Sequence, residues 1–159
     1  MKAGEIGKLI ICVAAVFAAG AIGSLFTSRA IPTWYKTLTK PRFNPPNWLF
    51  GPAWTALYVL MAVAAYLVWR NGLAAPGVKA ALVVFLVQLA LNALWSGLFF
   101  GLRSPLAGLI GIVALWLAIL ATIVLFFGVS TLAGVLLLPY IAWVSFATIL
   151  NAAILNLNR

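Results

Sequence analysis

Apolar residues in this chain come in long runs, and polar residues gather in the gaps between them. Five runs predict five helices, at about residues 9–26, 48–69, 80–102, 105–127 and 131–155. A run of about twenty residues, rising about 1.5 Å at each, crosses a hydrocarbon core of about 30 Å. The gaps carry turn chemistry: "NGLAAPG" follows the second run and "FGVST" the fourth. Pro105 falls in the first turn of the fourth run, where its missing N–H costs nothing. Short gaps make consecutive helices antiparallel neighbours. Only the first gap, about Thr27 to Asn47, is long, and so long a connection in a small domain is more often functional than not. Within it Pro41, Pro45 and Pro46 fix φ and remove donors, which keeps the gap extended and separate from the second helix.

Inside the runs, the few polar residues share helical spacing with large aromatics. Gln88, Asn92, Trp95 and Phe99 form one stripe of the third helix, and Tyr140, Trp143, Ala147 and Asn151 one of the fifth. Trp54, Tyr58 and Met61 do the same on the second. An amide facing lipid would strand its donors, so Gln88, Asn92 and Asn151 are expected to face the bundle interior. One such stripe alone reads equally well as interhelical glue. Three converging stripes describe an interior of flat aromatics, a few amides and a small residue, Ala147, that leaves room. That is a ligand pocket, and its natural guest is flat, apolar and largely aromatic. Trp69, beside Arg70 at a run end, reads as an interface anchor; Trp116, with no polar partner on its stripe, reads as packing. Gly97/Gly101 and Gly77/Ala81 are small-x-x-x-small pairs that permit close helix contact, including a homodimer through the third helix.

Composition settles the solvent. Hydrophobic residues are 66% and charged residues 7% of 159, which defines one integral membrane domain spanning residues 1–159. The basic start and the small residues near Ala19 and Ala21 imitate a signal peptide, but the first run continues past them to a full span. The net charge of +9 comes from ten Lys/Arg against one acid, Glu5. The cations stand singly or in small groups at run ends, where they snorkel to anionic headgroups. No basic face follows a phosphate backbone, so nucleic acid is not an expected partner. Lys2, Lys8, Arg70 and Lys79 fall on one side, and Arg29, Lys36, Lys40, Arg42, Arg103 and Arg159 on the other. Six against four favours the long gap and the C-terminus facing the cytoplasm.

The absences narrow the chemistry. There is no His, and no run contains a carboxylate, so neither a metal cluster nor conventional acid–base catalysis is expected. Proton-coupled antiport needs an embedded carboxylate and is disfavoured for the same reason, while facilitated passage stays open. The single Cys12 cannot form an internal disulfide.

Three blocks then carry a resemblance: "WYKTLTKPRFNPPNWLFGPAWTALYVLM", "QLALNALWSGLFFG" and "LLLPYIAWVSFATILNAAI". They resemble the TspO/MBR family, the translocator proteins, tryptophan-rich sensory proteins and peripheral-type benzodiazepine receptors, over about residues 18–158. The resemblance implies an all-α bundle of five transmembrane helices, commonly dimeric, with a pocket open toward the first connector, which acts as a lid. It implies protoporphyrin IX, haem and planar drug-like molecules as ligands, bound for sensing, transport or degradation, with no cofactor required. A facilitative small-molecule or lipid transporter without proton coupling is the competing expectation. By motif, Trp54 and Trp143 match two tryptophans implicated in ligand contact and in light-dependent porphyrin breakdown. Asn92, Trp95, Ala147 and Leu150 match further pocket positions, and Trp34, Tyr35, Pro46, Asn47 and Trp48 match the lid. With the stripe residues Tyr58, Gln88 and Tyr140, these form the expected ligand-binding set. Lys36, Lys40 and Arg42 would meet porphyrin propionates or lipid phosphates. Animal members place a Tyr after the Asn matching Asn151, within their cholesterol motif; here Ala152 follows, as suits a bacterial member that does not bind sterol there.

Overall fold

Lipid offers a backbone no hydrogen-bond partner, so a spanning segment must satisfy its own N–H and C=O groups, and helix is the open-chain solution. In the computed structural model, which describes residues 1–159, 103 of 123 backbone hydrogen bonds lie within helices. Five helices are long and apolar enough to span: α1 Ala3–Tyr35, α2 Asn47–Trp69, α3 Val78–Gly101, α4 Pro105–Phe127 and α5 Thr131–Leu157. The chain is therefore an all-helical, multi-pass membrane bundle, as the apolar runs require. Around the bundle the contacts run α1–α2–α5–α4–α3 and back to α1, with α2 also touching α3.

Three helices depart from regular α geometry, each for a local reason. α1 ends in a π-helical turn, Ile31–Tyr35, that contains Pro32. The wider turn relieves the collision of a proline ring with the carbonyl four residues back, so the helix survives the proline. α3 also ends in a π-turn, Gly97–Gly101. α5 breaks at Leu137, two residues before Pro139, whose ring and missing N–H forbid an unbroken ladder.

The first helix is much longer than its apolar run. Glu5 and Lys8 extend it at the front, and Thr27 and Thr33 bond back to the carbonyls of Gly23 and Arg29. Polar residues thus stay helical where apolarity alone stops. The irregular connector shrinks from the expected 27–47 to residues 36–46, and Trp34 and Tyr35 belong to the helix rather than to it.

Apolar burial does not draw helices together in lipid, so close packing must. Gly108 and Gly111 bring α4 against α3: a Cβ at Gly108 would lie 2.6 Å from Phe99 Cδ2, and one at Gly111 2.7 Å from Leu98 Cδ1. Trp116 is more than filler, because its indole N–H donates to Ser145 Oγ at 2.8 Å and ties α4 to α5. The small pairs of α3 serve this chain's own packing. Ala81 is fully buried, and the Phe26 ring of α1 lies over Gly97 and Gly101. At the far end from the connector, Glu5 accepts from Tyr66 Oη at 3.1 Å and pairs with Lys8 at 3.4 Å, joining α1 to α2. Trp69 sits beside this group, its ring centroid 6.0 Å from Lys8 Nζ.

The α3–α4 contact yields a test. Gly108→Val must push against Phe99, including its Cβ at 2.9 Å, and should destabilise the detergent-solubilised protein by about 1–3 kcal/mol in thermal unfolding. Gly4→Ala, where nothing lies within 4 Å, should be neutral or slightly stabilising.

Candidate functional site: an aromatic cavity between four helices

Between α1, α2, α3 and α5 the packing opens into a cavity of about 530 Å³. α4, the most apolar helix, contributes no wall. The second and third helices supply Trp54, Tyr58, Asn92, Trp95 and Phe99, and α5 supplies Trp143, Ala147, Leu150 and Asn151. No Lys, Arg, Asp or Glu lines it. The polar groups a guest meets there are amides and hydroxyls, set among rings and aliphatic side chains.

The aromatic wall is continuous. Trp54 lies 5.6 Å from Tyr58 and 6.5 Å from Trp95, each pair tilted by 31°. Trp95 lies 5.8 Å from Phe99, again at 31°. On the other side Trp143 packs between Phe50 at 6.1 Å and Phe146 at 5.7 Å. Offset and tilted ring pairs of this kind are worth about 0.5–1.5 kcal/mol beyond their burial.

Amides and one phenol hold the wall in place. Tyr140 Oη accepts from Asn92 Nδ2 at 2.7 Å and donates to Gln88 Oε1 at 2.8 Å, all three side chains being buried. Gln88 Nε2 in turn faces Met61 Sδ at 3.9 Å. Asn92 spends its donor on Tyr140 and keeps its Oδ1 free of any protein partner on the cavity side. Lower down, Trp95 Nε1 donates to Asn151 Oδ1 at 3.3 Å, and Asn151 Nδ2 donates to the Pro105 carbonyl at 2.8 Å. Trp95 is thereby locked, whereas the indole N–H of Trp143 is buried with no partner at all.

Several expected positions stand elsewhere. Gln88 and Tyr140 lie behind Asn92 and support the wall without forming it. Trp34 packs edge-on to Phe99 at 5.5 Å, outside the cavity. Pro46 does not line it, and Trp48 is 71% exposed and points away. From the expected lid, only Tyr35 and Asn47, at the two ends of the connector, reach the cavity. The aromatic and amide stripes do not reveal the α1 wall, made by Gly20, Gly23, Ser24, Thr27 and Ser28. The signal was present as a small and hydroxyl stripe at helical spacing, but in a Gly/Ala-rich span such a stripe reads first as helix contact. Gly20 does take such a contact, from the Tyr58 ring.

The cavity opens sideways. Ala21, Ser24 and Ser28 of α1 and Gly51 and Thr55 of α2 line it and are also exposed. Short side chains on both helices therefore leave a slot between them, closed above by the Phe17–Tyr58 edge contact at 5.9 Å. Asn47, at the end of the connector, is likewise exposed and lines the cavity.

The connector is tied down rather than loose. Asn158, in the last turn of the bundle, pairs with Thr39 as a neighbouring strand would. Its Oδ1 accepts from Thr39 N at 2.9 Å, and its Nδ2 donates to Thr39 O at 2.8 Å. Tyr35 Oη donates to Asn44 Oδ1 at 2.9 Å, and Lys40 Nζ lies 4.6 Å over the Tyr35 ring.

The fold and the cavity together define a multi-pass helical membrane protein with an uncharged, tryptophan-lined interior cavity. Residues 12–157 match the TspO/MBR family, and the chain belongs to it. It is 51% identical over 152 residues to the tryptophan-rich protein TspO of Archaeoglobus fulgidus, covering 95% of this chain and 97% of that one. Against the tryptophan-rich sensory protein of Cereibacter sphaeroides identity is 42% over 125 residues, 79% of this chain and 77% of that one. The human translocator protein is 39% identical over 139 residues, 87% of this chain and 82% of its own.

The Asn158 pairing is open to measurement. Asn158→Ala removes both hydrogen bonds to Thr39, and a third to the Ile154 carbonyl, each of net worth about 1 kcal/mol. Hydrogen exchange at the Thr39 amide should accelerate about tenfold or more, with the helix amides of α2 unchanged.

Proposed function

We propose that this protein binds a tetrapyrrole, protoporphyrin IX or haem, or a related planar apolar molecule, within the cavity. The observation that carries this reading is the wall itself: four tryptophan- or tyrosine-bearing stretches around about 530 Å³, a volume in the range of small-molecule sites, without one Lys, Arg, Asp or Glu. A macrocycle is flat and apolar at its centre and polar only at its edge. Trp54, Trp95 and Trp143 offer stacking faces for the centre, and Asn92 Oδ1 and the α1 hydroxyls offer partners for the edge. Lys36 and Arg42 on the connector are exposed without protein partners and can meet propionates, while Lys40 is engaged with Tyr35 and the Leu38 carbonyl. The reading includes a homodimer through the outer face of α3, where Val83, Leu86 and Val87 are exposed at helical spacing. It also places the connector and the C-terminus in the cytoplasm.

Sensing, transport and degradation all begin with this complex. In degradation, light absorbed by the porphyrin would supply the driving force, with Trp54 and Trp143 as redox partners, so no acid or base is needed. The lateral slot favours a second reading, facilitated passage of a bilayer-soluble molecule without proton coupling.

Fluorescence titration with protoporphyrin IX in darkness should give saturable binding at about one site per chain, and its absence would refute the reading. Ala147 leaves room on the α5 wall, so Ala147→Phe should weaken binding by tenfold or more through overfilling. Trp54→Phe and Trp143→Phe keep a stacking face, and the second removes a buried donor that has no partner. Both should bind within about tenfold of the parent protein, a decade being about 1.4 kcal/mol, yet lose most light-dependent porphyrin loss under constant illumination. Bleaching at the parent rate in both would assign the photochemistry to the porphyrin alone.

A further inference from the structure

A second concavity, of about 510 Å³, lies on the outside of the bundle between the connector ends of α1 and α3. Its floor is apolar: Phe26 of α1, laid over Gly97 and Gly101, with Leu94 and Leu98 of α3 beside it. Phe26 is 40% and Leu94 51% exposed, so the floor faces whatever surrounds the bundle. Its rim carries two cations, Arg29 and Arg103, both exposed.

Neither guanidinium has a partner in the chain. The sole acidic side chain, Glu5, is at the opposite end of α1 and is paired with Lys8 there. Arg103 is, moreover, the one non-glycine residue with positive φ, at 53°. That backbone is unfavourable for a side chain with a Cβ, and it turns the chain sharply between α3 and α4 with the cation at the groove's rim. α4 starts two residues later, capped by the Ser104 hydroxyl, and its dipole adds to the positive field of that rim. An apolar trough ending at two uncompensated cations, at the end of two spanning helices, matches an acyl chain ending in a phosphate.

We propose that this groove binds one anionic phospholipid, its phosphate between Arg29 and Arg103 and an acyl chain along Phe26, Leu94 and Leu98. The lipid is anionic rather than zwitterionic because a choline or ethanolamine group would bring a cation to a rim that has no carboxylate to receive it. A second copy of this chain fits poorly, since a two-fold contact at the groove would gather four guanidiniums without one acid. This site is separate from the cavity and stands or falls independently of the porphyrin reading.

The test uses the full-length protein, delipidated in detergent and titrated with phosphatidylglycerol or with phosphatidylcholine of identical acyl chains, read by native mass spectrometry. One phosphatidylglycerol per chain should bind at least tenfold more tightly than phosphatidylcholine. Arg29→Gln/Arg103→Gln should erase that preference. Lys36→Gln/Arg42→Gln removes equal charge from the same end of the bundle and should preserve it. Circular dichroism and gel filtration verify that both variants fold; each single arginine variant, expected to lose part of the preference, replaces the double one if it does not. Equal binding of the two lipids, or equal loss in both double variants, overturns the proposal in favour of diffuse charge. A change from dimer to monomer in Arg29→Gln/Arg103→Gln with lipid binding intact overturns it in favour of a second copy.

Discussion

Tyr140 decides where this bundle is solid and where it is hollow. Its hydroxyl is held at both ends, by Asn92 and Gln88, and so locks α5 to α3 across the middle of the membrane. On one side of that lock the interior is filled by Met61, Val68, Val78, Phe85, Leu115 and Phe126, with the last pair of rings stacked at 5.6 Å. On the other side the side chains stop short of one another and the cavity begins. A polar triad in hydrocarbon is costly unless each member is satisfied, because no water stands by to replace a lost partner. The triad therefore acts as a rigid partition, and the aromatic walls hang from it: Trp54 touches the Tyr140 ring at 6.2 Å and passes the contact on to Trp95.

Much of this arrangement was legible in the order of residues. Asn92, Trp95, Trp143 and Ala147 each sit on a stripe whose spacing forces them to one side of a helix, and an amide among them identifies the inner side. What periodicity cannot distinguish is a residue at the wall from one just behind it, so Gln88 and Tyr140 read as lining although they support it. The Trp34–Trp48 stretch misleads for a different reason. Proline suggests broken helix, yet a π-turn absorbs Pro32 and carries Trp34 and Tyr35 onto α1. The α1 wall was hidden because glycine, serine and threonine leave room equally for a neighbouring helix or for a guest.

Charge is distributed as sharply as bulk. The only carboxylate side chain is placed at the closed end, where it joins α1 to α2, and six of the ten cations lie at the end that carries the connector. Between the two ends the interior is neutral, so its selectivity rests on shape, ring faces and a handful of amides.

The pairing of Asn158 with Thr39 joins residues separated by 119 positions. During synthesis α1 and the connector emerge long before α5, and the amide that holds Thr39 belongs to the last helix to enter the bilayer. Until then three of the four cavity walls exist without the fourth, and the connector has only local ties, Tyr35 to Asn44 and Lys40 to Tyr35 and the Leu38 carbonyl. The cavity is therefore completed late: seating α5 supplies the Trp143–Ala147 wall, the Tyr140 partition and the anchor for the connector together. Closure of the cavity and completion of the fold are thus the same step.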